Sequence, residues 1–205
     1  MAINHTGYFD FTYAGLAARR SRRLVRFMAK KSVFGHRVAG PLMRGMKHIP
    51  VDRRAGGAAF DAAVAALRGG EIVGVFPEAT MSRAYELKPF KPGAVKMALD
   101  AGVPILPTTV WGSQRVWSKN VPKHLLRSNI PVHVTVGAPL VVGADESVAD
   151  ANERLRAVMQ AQLDAQQAVY PALSGDDLIY LPARLGGQAP TSNHRNLWMG
   201  LGAVT

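Results

Sequence analysis

The chain contains no cysteine. That excludes disulfide bonds, thiolate metal sites and a cysteine acyl-enzyme, and it is compatible with a reducing cytosol. No apolar run reaches the roughly 18 residues that a membrane-spanning helix needs, and the first residues do not read as the basic, apolar and small-residue zones of a signal peptide. A Gly-x-Ser-x-Gly elbow, a Walker A loop and a dinucleotide fingerprint are all missing. No set of His, Asp and Glu has metal-ligand spacing, so no metal is expected. Acidic residues are scarce at one end: residues 1–54 hold 12 Lys or Arg against 2 Asp or Glu, whereas residues 55–205 hold 13 against 12. The net charge of +11 is therefore concentrated in the first quarter. Such a field suits a phosphorylated substrate, an anionic lipid surface or a nucleic acid. The arginines are not interleaved with stacking aromatics and no nucleic-acid motif occurs, which argues against the last.

What is present reads as one globular domain. With 205 residues, 48% hydrophobic and 19% charged, the chain is long enough for a real core. Strand and helix patterns alternate from residue 24 to 140, predicting an α/β fold: a mixed, partly parallel sheet flanked by helices. Phe11 to Ala18 starts a helix. Beyond it, Arg19, Arg23, Arg26 and Lys30 would share one face of a helix, while Leu24–Ala29 reads equally as a strand; periodicity leaves the two open. Helices are predicted over Phe34–Met46 (punctuated by Gly40-Pro41), Ala58–Leu67, Ala94–Asp100 and Ser147–Val169. The last has an apolar stripe of Val148, Leu155, Val158, Met159 and Leu163. Strands are predicted over Glu71–Phe76, Val103–Gly112 and Val132–Val136. His36, His48 and His133, and Trp111 and Trp117, read as structural or packing residues. The domain is expected to span 1–170, with 171–205 an irregular strap.

The chemistry starts at Asn4-His5-Thr6-Gly7-Tyr8-Phe9-Asp10. His5 and Asp10 are five residues apart, one too many for neighbours on a helix face, but Gly7 permits a tight turn that returns the carboxylate to the imidazole. A carboxylate on one ring nitrogen leaves the other free to take a proton, which makes a general base with its orienter. No Ser, Cys or Thr nucleophile stands beside it. A second stretch, Val75-Phe76-Pro77-Glu78-Ala79-Thr80-Met81-Ser82-Arg83, ends a buried-type strand in a polar turn, where α/β sheets place ligands. Between the two, Lys47 to Arg54 ends in two arginines suited to clamping an anion.

Taken together, these stretches and Val103-Pro104-Ile105-Leu106-Pro107 resemble the four blocks of the glycerolipid acyltransferase family, which includes 1-acylglycerol-3-phosphate (lysophosphatidate) acyltransferases. The likeness covers about residues 4–140. It implies an O-acyltransferase that moves a fatty acyl group from acyl-CoA or acyl carrier protein, without a further cofactor, to the free hydroxyl of lysophosphatidate, giving phosphatidate in phospholipid biosynthesis. It implies that His5 and Asp10 are catalytic and that Arg53, Glu78 and Thr80 bind or shape the substrate site. Ala79 stands where the family has Gly, and Met81 where it has Arg; Arg83 is the candidate to compensate for the lost cation. That departure opens glycerol 3-phosphate or another lysophospholipid as the acceptor. A basic membrane-binding protein without catalysis is the reading from another class. The resemblance also implies a peripheral place on the cytoplasmic face of an anionic membrane. In the family a strand precedes the His-bearing block; with His5 at the fifth position, that strand is expected to be a stub and any anchor before it to be missing.

Overall fold

A computed structural model describes residues 1–52, 56–126, 128–143 and 145–191. The elements run β1 (Ala2–Ile3), α1 (Asp10–Ala17), β2 (Val25–Lys30), α2 (Lys31–Phe34), α3 (Ala39–Gly45), β3 (Ile49–Val51), α4 (Gly56–Arg68), β4 (Ile72–Gly74), α5 (Gly93–Ala101), β5 (Pro107–Trp111), α6 (Ser113–Val116), β6 (His133–Val136) and α7 (Val148–Ala168). Strands β3, β2 and β4 form one parallel group and β1, β5 and β6 another. The two meet where Ala2 bridges Val75 in parallel, with Ile3 N–H donating to Val75 O at 3.0 Å. The spatial order is thus β3-β2-β4-β1-β5-β6, parallel except for β6. This is the mixed α/β sheet expected, and its strand β1 has two residues.

Alternation along the strands builds two core faces, because successive side chains of a strand point to opposite sides. Ile3, Val25, Phe27 and Val110 pack with Ala14 of α1. Ala2 and Trp111 face the other way, onto Val95 of α5 and Leu155, Met159 and Leu163 of α7. Val73 joins Ala59, Ala63 and Val64 of α4. Every residue of β5 is buried, as a central strand requires.

One reading left open is decided and three local expectations are revised. Residues 25–30 are a strand, so Arg19, Arg23, Arg26 and Lys30 do not share a helix face. The alternation of buried Val25 and Phe27 decides the matter, and Arg26 is tied down by Lys47 O and Glu71. Residues 34–46 are not one helix. The ring Nδ1 of His36 accepts the N–H groups of Val38 and Ala39, both at 3.3 Å, a local competitor to helix continuation that separates α2 from α3. The strand expected over 103–112 pairs continuously only from Pro107; upstream, Ile105 makes a single bridge to Leu140. In α7 the buried stripe is Ala151, Asn152, Leu155, Met159, Leu163 and Gln166, while Val158 is exposed. His48 is structural as expected: it is buried, and its Nδ1 accepts the N–H of Phe27 at 3.0 Å. Two 3-10 turns follow α7, and they bring Tyr180 into the main core.

Candidate active site

The C-terminal ends of the parallel strands lie along one edge of the sheet, and three of the loops that leave this edge converge. The first follows β1. Asn4, fully buried, takes the N–H of Val110 (2.7 Å) and donates to its carbonyl (3.0 Å), stitching the end of β1 to β5. His5 comes next, and the chain turns so that the Asp10 carboxylate points back at it. Oδ2 of Asp10 accepts Nδ1–H of His5 at 3.0 Å and the N–H groups of Thr6 and Gly7 at 2.7 and 2.8 Å. Oδ1 accepts the hydroxyl of Ser113. Four donors thus replace the water that this buried carboxylate has lost. The turn needs glycine for space: a Cβ on Gly7 would lie 2.9 Å from the carbonyl oxygen of Ser113. With Nδ1–H committed to Asp10, Nε2 is the nitrogen free to take a proton, and the His5 side chain keeps about a quarter of its surface open.

The second loop follows β4. Phe76 stacks on the His5 ring with centroids 4.3 Å apart. Glu78 is buried; one oxygen accepts the N–H of His5 at 2.9 Å and the other the N–H of Lys88 at 3.1 Å. Burial pushes its carboxyl up to about 7, against the pull of these two N–H groups and the nearby His5 and Lys88. The Ser82 N–H donates to the carbonyl of His5 at 2.7 Å, so this loop grips the backbone of His5 on both sides. Ala79 adopts φ +60°, the left-handed conformation that favours glycine. Thr80 is exposed; Lys88 Nζ donates to its carbonyl at 3.0 Å and to its hydroxyl. Arg83 is exposed, and Met81, half-buried, has its sulfur 3.5 Å from the Ser118 hydroxyl oxygen. Arg53 lies outside the described residues.

The third loop follows β5, and the sequence marks only its Trp117, as a packing residue. Gly112 enters α6 with φ +99°. Ser113 reaches Asp10, Ser118 donates to the carbonyl of Thr6 at 2.6 Å, and the carbonyl of Trp117 accepts the N–H of Tyr8 at 2.9 Å. The rings of Tyr8 and Phe9 pack on Trp117. The signal that could have pointed here is the placement of Gly112-Ser113 directly after a central strand, the position at which the other two loops also begin. An open groove of about 460 Å³ adjoins the turn, lined by Phe9, Tyr13, Val116, Leu125, Leu126 and Ile130 among others. Among the described residues no three His, Asp or Glu side chains gather as a metal ligand set would.

Comparison with known proteins bears on this arrangement. A family model described as Acyltransferase matches residues 1–111, which include the first two loops. A 1-acyl-sn-glycerol-3-phosphate acyltransferase of Bacillus subtilis is 30% identical over 162 residues, covering 78% of this chain and 75% of that protein. Another so named, from Borreliella burgdorferi, is 35% identical over 83 residues, 40% of this chain and 32% of its own length. The chain thus matches three quarters of one relative and about a third of the other. Among solved structures, the 1-acyl-sn-glycerophosphate acyltransferase PlsC of Thermotoga maritima shares the fold, with a TM-score of 0.65 at 20% identity over 83% of this chain and 67% of that one.

Proposed function

This chain belongs to the acyltransferase family, and on that premise we propose that it transfers a fatty acyl group from acyl-CoA or acyl carrier protein to the free hydroxyl of lysophosphatidate, giving phosphatidate. One observation carries the reading: a partly open imidazole whose Nδ1–H is held at 3.0 Å by a fully buried carboxylate. In the proposed step Nε2 of His5 takes the acceptor's hydroxyl proton as that oxygen attacks the thioester carbonyl. The tetrahedral centre collapses, the C–S bond breaks, and the thiolate leaves with the proton from His5. Asp10 stabilises the imidazolium in between. The acyl group passes directly, with no covalent enzyme intermediate. Arg53, through the anion-clamp argument from sequence, and Arg83 hold the acceptor phosphate in this reading. Glu78 fixes the backbone of His5, and Thr80 shapes the rim. The groove beside Phe9 and Tyr13, whose lining mixes Val116, Leu125, Leu126 and Ile130 with His124 and Ser128, offers a bed for an acyl chain. The basic first quarter favours an anionic, cytoplasm-facing membrane surface as the place of work.

The test is thiol release from palmitoyl-CoA or palmitoylated carrier protein with and without lysophosphatidate. His5→Ala should lower acceptor-dependent release by about 10²–10⁴-fold, the usual contribution of a positioned base, while thermal unfolding stays cooperative. Near-normal turnover in folded His5→Ala would sink the mechanism. Half-buried Met81 favours a second acceptor reading. In a panel with glycerol 3-phosphate and neutral lysophospholipids, preference for an acceptor without a phosphate monoester would remove the arginine clamp. Release with no acceptor in the panel would leave only the non-catalytic membrane-binding reading.

A further inference from the structure

We propose that Ser113 is a positioning residue of the His5–Asp10 pair: its hydroxyl fixes the rotation of the Asp10 carboxylate and draws on its charge, so that the support Asp10 gives the His5 imidazolium depends on Ser113. The inference rests on His5 as the general base. Ser113 lies 103 residues from Asp10 in the chain, is fully buried, and gives its hydroxyl hydrogen to Oδ1. Oδ2 carries all three of the turn's own donors, His5, Thr6 and Gly7. The two oxygens therefore have separate duties, and a carboxylate held by one oxygen alone can rotate about its Cβ–Cγ bond. The donor on Oδ1 stops that rotation. Ser113 is in turn held against the motif: its carbonyl takes the Trp117 N–H at 3.2 Å, and it meets Gly7 closely enough to exclude a side chain there. The Thr6 hydroxyl lies 3.5 Å from its oxygen.

The electrostatic consequence has a definite sign. A hydrogen bond to a carboxylate stabilises its negative charge in place, leaving less of it to stabilise a neighbouring imidazolium. Without the Ser113 hydroxyl, that charge acts undivided on the imidazolium formed in the reaction. Other groups act on the pair: Glu78, with Lys88 beside it, faces His5 from the loop after β4, and Tyr13 faces Asp10 from α1. None of them touches Oδ1, so removing the Ser113 hydroxyl takes away the side-chain donor on that oxygen, and with it only the longer contact to the Thr6 hydroxyl.

Three variants test this: Ser113→Ala, Ser113→Cys (similar in size, a poor donor) and Ser113→Thr (hydroxyl kept). In the Ala and Cys variants kcat should fall about tenfold, the scale of a misoriented catalytic group, with KM nearly unchanged. The acidic limb of the kcat profile should move to higher pH by about half a unit, and Ser113→Thr should return both quantities toward wild type. An unchanged profile with full kcat overturns the proposal. So does a fall in kcat with the limb in place, since packing alone would do that. A second readout needs no turnover. The NMR titration of the His5 ring, identified by its loss in His5→Gln, should move to higher pH in whichever of the Ala and Cys variants folds, and a titration that stays put overturns the proposal. If wild type releases no thiol with any acceptor while that titration moves, acyl transfer fails and the Ser113 coupling stands.

Discussion

A single carboxyl decides much at the residue scale. Glu78 holds the backbone of His5, yet burial raises its carboxyl to about 7 from an ordinary value near 4.5. The sign of the linkage follows. A group whose folded value exceeds its unfolded one contributes stability that is complete below the unfolded value and is lost as pH rises through the folded value. Unfolding free energy from urea titrations should therefore decline from pH 4.5 toward pH 7 because of Glu78, and Glu78→Gln should flatten that decline. A decline identical in the variant would show that Glu78 does not cause it. The His5–Asp10 pair was legible in the sequence because its two members sit on one turn, where glycine and short spacing limit what the chain can do. Glu78 was legible only as part of a motif; that one of its oxygens holds the backbone N–H of His5 required the ends of β4 and β1 to be neighbours. Ser113 carried no such signal, being joined to Asp10 by the fold alone.

Elements were read well where one face is buried and poorly where a side chain intervenes. Helix α7 was anticipated nearly to its ends, and Ser147 caps it by accepting the N–H of Asp150. The same helix supplies a paired prediction. Leu155 has no exposed surface and Val158 is more than a third exposed. Leu155→Ala should lower stability by about 2–5 kcal/mol through the cavity it leaves, whereas Val158→Lys should change it by about 0.5 kcal/mol or less. Chemical denaturation distinguishes the two, and equal losses would restore Val158 to the core stripe that the sequence suggested. The split between α2 and α3 was not legible, because an apolar period cannot register that the His36 ring will take two N–H groups from the next turn.

The whole molecule sets its charge against its active edge. Between Lys30 and Lys47 there is no acidic residue. Lys30, Lys31, Arg37, Arg44 and Lys47 are exposed there together with Val38 and Leu42. This stretch leaves the C-terminal end of β2, parallel to β4, on the edge where the His5 and Glu78 loops also begin. A lipid acceptor presented by an anionic surface would meet that edge. The chain should co-sediment with vesicles containing phosphatidylglycerol and release from them as salt shortens the Debye length to about 3 Å near 1 M. Equal binding to neutral vesicles, or binding that ignores salt, would remove electrostatics as the cause. Among the described residues no helix is long and apolar enough to cross a membrane.

By itself the sequence determined the alternation of strand and helix, the turn that joins His5 to Asp10, and the family that these spacings resemble. All three are short-range properties, set by side-chain period and by what a few consecutive residues can reach. Only the tertiary structure decided the order of the strands, the grip of Glu78 on His5, the hydroxyl of Ser113 on the second oxygen of Asp10, and the exposure of Val158. Each of these depends on which distant segments pack together, and no spacing along the chain encodes that.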